Sequence, residues 1–229
     1  MYGYYYDWTY ILVLIGALIS IIASANVNAT FKKYSRQMSA RRLTGAEVAQ
    51  AILERNGIYD IQVCHVPGNL TDHFDPRTGI VNLSDSVYSS TSVAALGVAA
   101  HECGHVLQHK TEYLPLKIRS SLVPVANFGS RFGIWVVVAG LAFAMEPITT
   151  VGIWLFSAAV AFQIVTLPVE LDASRRALAM LEDYGLMGSD ETRASRKVLG
   201  AAALTYVAAA AASVLQLARL LILRNRRRD

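Results

Sequence analysis

The sequence predicts a mainly α protein, in which integral membrane helices carry a small α+β part. Three observations predict it. Four apolar runs approach or exceed the length that crosses a bilayer. A polar middle between the first two runs holds both helical and alternating patterns. Two histidines four residues apart sit on an apolar helix within that middle.

Composition supports the membrane class. The chain has 229 residues, which suits one compact unit, and 54% of them are hydrophobic with only 17% charged. A soluble domain carries about 45–50% apolar and about 25% charged residues. Mean hydropathy is +0.36. The two cysteines, Cys64 and Cys103, are too few for a disulfide scaffold and fit a reducing compartment or small buried side chains. The net charge of +4 comes without a basic, aromatic-interleaved face, so nucleic acid is not an expected partner. The arginines flank apolar runs instead.

The first run, Trp8 to Ala25, has no charge. About 20 such residues span a bilayer. Its leader, MYGYYYD, is aromatic and acidic, where a cleaved signal would be basic. The run therefore reads as an uncleaved anchor behind an interfacial aromatic belt. A basic stretch follows, with Lys32, Lys33, Arg36, Arg41 and Arg42.

In LTGAEVAQAILERNG, Thr44 and Glu47 form a capping box. Ala46, Val48, Ala49, Ile52 and Leu53 make an apolar stripe, and Gly57 ends the helix. IYDIQVCHV alternates like a strand. In LTDHFDPRTGIVNLSDSVY, DPRTG predicts a turn between two extended pieces. Thr91 to His109 is an apolar helical stretch.

The second run is Phe132 to Met145, extending back toward Val123. Glu146-Pro147 is expected to break it before the third run, Ile148 to Leu167. Together they predict a transmembrane hairpin. Pro168 is expected to open a polar helix reaching about Tyr184, and the last run is Val198 to Leu223. By composition the chain divides into an anchor at 1–25, a polar part with the histidines at 26–120, a hairpin at 121–167, a polar helix and loop at 168–197, and an apolar helix with a basic tail at 198–229. Almost no ionisable residue interrupts the apolar runs, which argues against a transport pathway.

Positive charge predicts orientation. With the N-terminus outside, Lys32, Lys33, Arg36, Arg41, Arg42, Arg175, Arg176, Arg193, Arg196 and Lys197 fall in the cytoplasm. The tail dissents: a fully spanning last run would put Arg224, Arg226, Arg227 and Arg228 outside.

The chemistry centres on HECGH, residues 101–105. On an α-helix, residues four apart share a face, so His101 and His105 can aim two imidazoles at one metal ion. Glu102 lies about 100° round the helix, off the ligand line. From there it can reach a water and take its proton. The alternative is an ordinary helix with three polar residues, but burying them there without partners would be costly. The longer motif with a third histidine fails, because Gln108 and Thr111 stand where glycine and histidine belong. The third ligand must come from elsewhere. Glu170, just past the third run, is the first candidate and Asp172 its rival.

Other residues carry weaker expectations. His109 lies about 80° beyond His101 and suits a supporting or surface role. Asp72 and His73 are candidates for substrate contact or for turn chemistry. His65 is expected to be structural and Cys103 to pack as a small residue. Arg175 or Arg176 could pair with Asp172 or face an oxyanion; lipid headgroups are the alternative for Arg176.

In combination, LTGAEVAQAIL, LTDHFDPRTGIVNLSDSVY, ALGVAAHECGHVLQH, LPLKIRSSLVPVANFGS and LPVELDASRRAL resemble the YugP-type neutral zinc metallopeptidases, which are bacterial membrane proteins. The likeness covers about residues 1–223. More distantly, the layout resembles the HtpX and Ste24 membrane peptidases. The resemblance implies a zincin-like catalytic domain, one Zn2+ held by His101, His105 and Glu170, and Glu102 as base. In the more distant pattern an aspartate stands four residues after the glutamate; here Ser174 does, which leaves open whether Asp172 or Ser174 takes the supporting role.

The function expected is that of a multi-pass cell-membrane endopeptidase with its site on the cytoplasmic side. Polypeptides, membrane proteins among them, would be its substrates, laid along an edge strand near His73 to Val81. The alternative is a non-catalytic, zinc-stabilised membrane scaffold that binds partners.

Overall fold

The computed structural model describes residues 7–226. The first six residues of the aromatic leader, and Arg227 and Arg228 of the tail, lie outside the described residues. In chain order the elements are α1 (Tyr10–Tyr34), α2 (Gly45–Arg55), β1 (Gln62–Val66), β2 (His73–Asp75), β3 (Ile80–Ser84), α3 (Val93–Lys110), α4 (Leu114–Ala142), α5 (Glu146–Asp183) and α6 (Ser189–Asn225). The fold is mainly α with one small three-stranded sheet, as the patterning predicts. Helices α1, α4, α5 and α6 are long and apolar enough to cross a membrane.

The chain falls into two compact units, each assembled from separated segments. One contains the residues up to Ser24, Lys117–Leu167 and the residues from Thr205 onward. Its outward faces are apolar: Trp135, Phe143 and Trp154 are each more than 70% exposed. Such faces suit lipid rather than water. The α4–α5 hairpin packs backbone to backbone. A Cβ on Gly129 would stand 2.0 Å from the Leu155 carbonyl oxygen, and one on Gly140 2.4 Å from the Thr149 nitrogen. Small residues permit such approaches between membrane helices. At one end of this unit Arg219 pairs with Asp7 at 2.9 Å and Arg224 with Glu146 at 3.5 Å. The Arg219 and Arg226 guanidinium groups lie over the rings of Tyr10 and Trp8. The end of α6 therefore meets the beginnings of α1 and α5.

The other unit comprises Ala25–Leu116 and Pro168–Leu204 and holds every predicted site residue. The capping box forms as expected, with Thr44 Oγ1 accepting from the Glu47 amide at 3.2 Å and Glu47 Oε2 accepting from the Thr44 amide at 2.7 Å. Val48, Ala49, Ile52 and Leu53 are fully buried against α3 and the sheet. Strand β3 is central, paired in parallel with β1 and antiparallel with β2. Asp75 shapes the turn between β2 and β3 by accepting from the Arg77 amide and the Thr78 hydroxyl. Gly79 closes that turn at φ +69°, where a side chain would be strained. The edge beside it is His73–Asp75 alone, because Val81 lies in the central strand.

Helix α3 is buried on nearly all sides, which explains its continuous apolar sequence. Ser92 caps it, accepting from the Ala95 amide at 3.2 Å. Ser195 of α6 donates to the Val93 carbonyl at 2.7 Å. A Cβ on Gly104 would stand 2.5 Å from the Ala173 carbonyl oxygen of α5.

Three boundaries differ from expectation, and prolines explain two of them. Glu146-Pro147 opens α5 instead of ending α4; proline suits a first helical turn, whose donors lack intrahelical acceptors anyway. Pro168 lies inside α5, which continues to Asp183 without a new start. One missing donor does not end a helix that is packed on both sides of it. The third difference is α6, which runs unbroken from Ser189, so Arg193, Arg196 and Lys197 share one helix with the last apolar run.

Candidate metal centre

Two helices of one unit build the site. Helix α3 presents His101 and His105 one turn apart, with ring centroids 4.7 Å from each other. Helix α5 brings Glu170 to them. Glu170 Oε2 lies 3.3 Å from His101 Nε2 and 3.6 Å from His105 Nε2. Among the described residues, this His–His–Glu group is the one whose ligand atoms converge, all within 4.8 Å of one another. The side chains are shielded, with the histidines 14% exposed and Glu170 4%.

The spacing fits zinc. Two donors each about 2.0–2.1 Å from a tetrahedral ion lie about 3.3–3.4 Å apart. The observed 3.3 and 3.6 Å match that edge, and two nitrogens with one carboxylate oxygen suit the metal.

The far side of each imidazole is also held. His101 Nδ1 lies 3.1 Å from Ser174 Oγ, and His105 Nδ1 lies 3.0 Å from Gln108 Oε1. Both Nε2 atoms consequently face Glu170. Gln108 is fully buried, and its amide nitrogen donates to the Val169 carbonyl at 2.7 Å and to Asp172 Oδ2 at 3.0 Å. Asp172 also accepts from Arg175, and from Arg176 Nε at 2.6 Å. The Arg176 guanidinium lies over the Tyr113 ring.

Burial alone would depress the His105 pKa. The adjoining Glu170 carboxylate and the charge of Glu102 outweigh that and hold it above the usual 6.5. Glu102 is 7% exposed, on the same helical turn as His101. Burial pushes the Cys103 thiol far up, with its Sγ donating to the Ala49 carbonyl. Cys103 therefore packs as a small residue.

The remaining predicted residues separate. Asp172 stands outside the converging group; its oxygens serve Gln108 and two arginines. Ser174, not Asp172, touches His101. Both Asp72 oxygens are taken by the Ser84 amide and hydroxyl, which ties the loop before β2 to the end of β3. Burial raises the Asp72 pKa against those hydrogen bonds. His73 is exposed on β2, with Nδ1 on the Thr71 carbonyl at 2.9 Å. His109 is exposed and tilts against Phe74, outside the converging group. His65 pairs with Asp85 at 2.6 Å. Sequence reasoning passed over Gln108, noting it only as a mismatch to the longer histidine motif. Its position three residues after a predicted ligand, on a buried face, was the available signal.

Four helices long and apolar enough to cross a membrane, with a buried His–His–Glu group, are the features expected of membrane-associated zinc peptidases. Within that class, the chain belongs to the family described as "Putative neutral zinc metallopeptidase", whose pattern matches residues 9–225. It is 43% identical over 221 residues to "Putative membrane protease YugP" of Bacillus subtilis (strain 168), covering 96% of this chain and 98% of that protein. No solved structure matches the chain significantly.

Proposed function

We propose that the protein is a multi-pass, zinc-dependent endopeptidase of the cell membrane, with its site on the cytoplasmic side. The convergence of His101, His105 and Glu170, with both histidine–glutamate separations suiting one tetrahedral ion, carries the reading. A bound zinc ion supplies Lewis acidity, which polarises a peptide carbonyl and lowers the pKa of water. Glu102 takes a proton from the attacking water and passes it to the leaving amine. The β2 edge, His73–Asp75, offers unpaired backbone groups to an extended polypeptide, which fixes its register. His73, exposed on that strand, would face such a substrate; His109 and Arg175 are exposed as well. The cytoplasmic assignment rests on the basic stretch after α1 and the basic start of α6. Quality control of membrane proteins is the proposed task, by analogy with the more distant peptidases.

The scaffold alternative is weaker, since a structural zinc is normally closed by four protein ligands. The group here has three, among the described residues. The test compares purified protein with Glu102→Gln after zinc loading. Equal zinc content is expected, with cleavage of unfolded casein and of detergent-solubilised membrane proteins reduced at least about 100-fold in the variant. Equal cleavage by both would remove the catalytic assignment. Zinc without cleavage by either would favour the scaffold.

A further inference from the structure

Gln108 is the junction between the two ligand helices. It lies on α3, three residues after His105, and has no exposed surface. Its carboxamide oxygen faces His105 Nδ1 at 3.0 Å. Its nitrogen faces two acceptors on α5, the Val169 carbonyl at 2.7 Å and Asp172 Oδ2 at 3.0 Å. Those acceptors fix which way the amide points, because reversing it would set oxygen against oxygen twice. With the oxygen on His105, the neutral imidazole must carry its proton on Nδ1, leaving the Nε2 lone pair toward Glu170. Ser174 imposes no such choice on His101, since a hydroxyl both donates and accepts. Val169 immediately precedes Glu170, so the same amide sets the position of the third ligand. Asp172, held by Arg175 and Arg176, completes the support.

We propose that Gln108 is the positioning residue of the metal site, fixing the tautomer and orientation of His105 and holding the α5 ligand segment in register with α3. This rests on the zinc reading above. Groups that orient a ligand imidazole typically change metal affinity about 10–100-fold when removed.

The test uses the full-length protein in detergent, with zinc affinity measured by chelator competition and the visible spectrum of the cobalt-loaded form as a second readout. Gln108→Met keeps length and apolar bulk but loses both hydrogen-bonding functions. It should weaken zinc binding about 10–100-fold and shift the cobalt bands. A structural role alone would lower the melting temperature of the metal-free protein and leave the cobalt spectrum unchanged. Should Gln108→Met not fold, Gln108→Asn, one methylene too short to reach His105, should show the same loss. Zinc affinity within about twofold of the parent in the tested variant, or weakened binding with an unchanged cobalt spectrum, overturns the proposal. Failure of the parent protein to bind zinc would instead overturn the metal reading itself.

Discussion

At the scale of single residues, the proposed site sets a proton against a metal. Glu170 and Glu102 place negative charge around His105 and raise its pKa above 6.5 despite burial. A proton on Nε2 must leave before that nitrogen can ligate, so metal binding near neutral pH releases it. The sign follows: lower pH fills His105 with a proton and weakens metal binding, while higher pH strengthens it. Zinc affinity, corrected for the chelator's own titration, should rise about tenfold or more between about pH 6 and about pH 8. A flat profile would show that His105 does not ligate. HECGH made this chemistry readable because helical periodicity alone aims two histidines at one point. Glu170 was readable only as a candidate beside Asp172, since their two-residue separation says nothing about which faces α3. Gln108 stayed hidden because its partners are a carbonyl and a carboxylate more than sixty positions away.

At the scale of elements, the centre depends on how closely α3 approaches α5. Gly104, inside the motif itself, lies where a Cβ would meet the Ala173 carbonyl oxygen at 2.5 Å. Backbone is not a flexible obstacle, so one added methyl must push the helices apart. Gly104→Ala is expected to destabilise the fold by about 1–3 kcal/mol and to weaken zinc binding by separating Glu170 from the histidines. Denaturant unfolding of the metal-free protein and chelator competition measure the two effects. Unchanged values in both would show that the crossing tolerates a side chain. Elements were legible where the local pattern decides them, as in the Thr44–Glu47 capping box and the Asp75–Gly79 turn. They were misread at Pro147 and Pro168, where local rules say "break" but the position in the helix decides. The first sits in an opening turn, and the second costs one hydrogen bond in a helix packed on both sides.

For the whole molecule, the ends of the long helices decide topology. Composition left the last run ambiguous, because a full crossing would carry its arginines to the side that positive charge avoids. The pairings Arg219–Asp7 and Arg224–Glu146 set the end of α6 beside the beginnings of α1 and α5. An unbroken α6 from Ser189 to Asn225 is about 55 Å long at 1.5 Å per residue, ample for a bilayer core of about 30 Å. Its arginines are not bare at that end: two have carboxylate partners, and two lie over aromatic rings. Such pairing partly neutralises the basic residues there. Under the proposed multi-pass topology, four crossings would put both termini on one side of the membrane and the basic stretch from Lys32 to Arg42 on the other. A reporter active only outside the cytoplasm should therefore give the same signal when fused before Met1 and after Asp229. It should give the opposite signal when inserted after Arg42. Opposite signals from the two termini would mean that one long helix does not cross, and the charge of the tail would then have outweighed the pairing seen in the bundle.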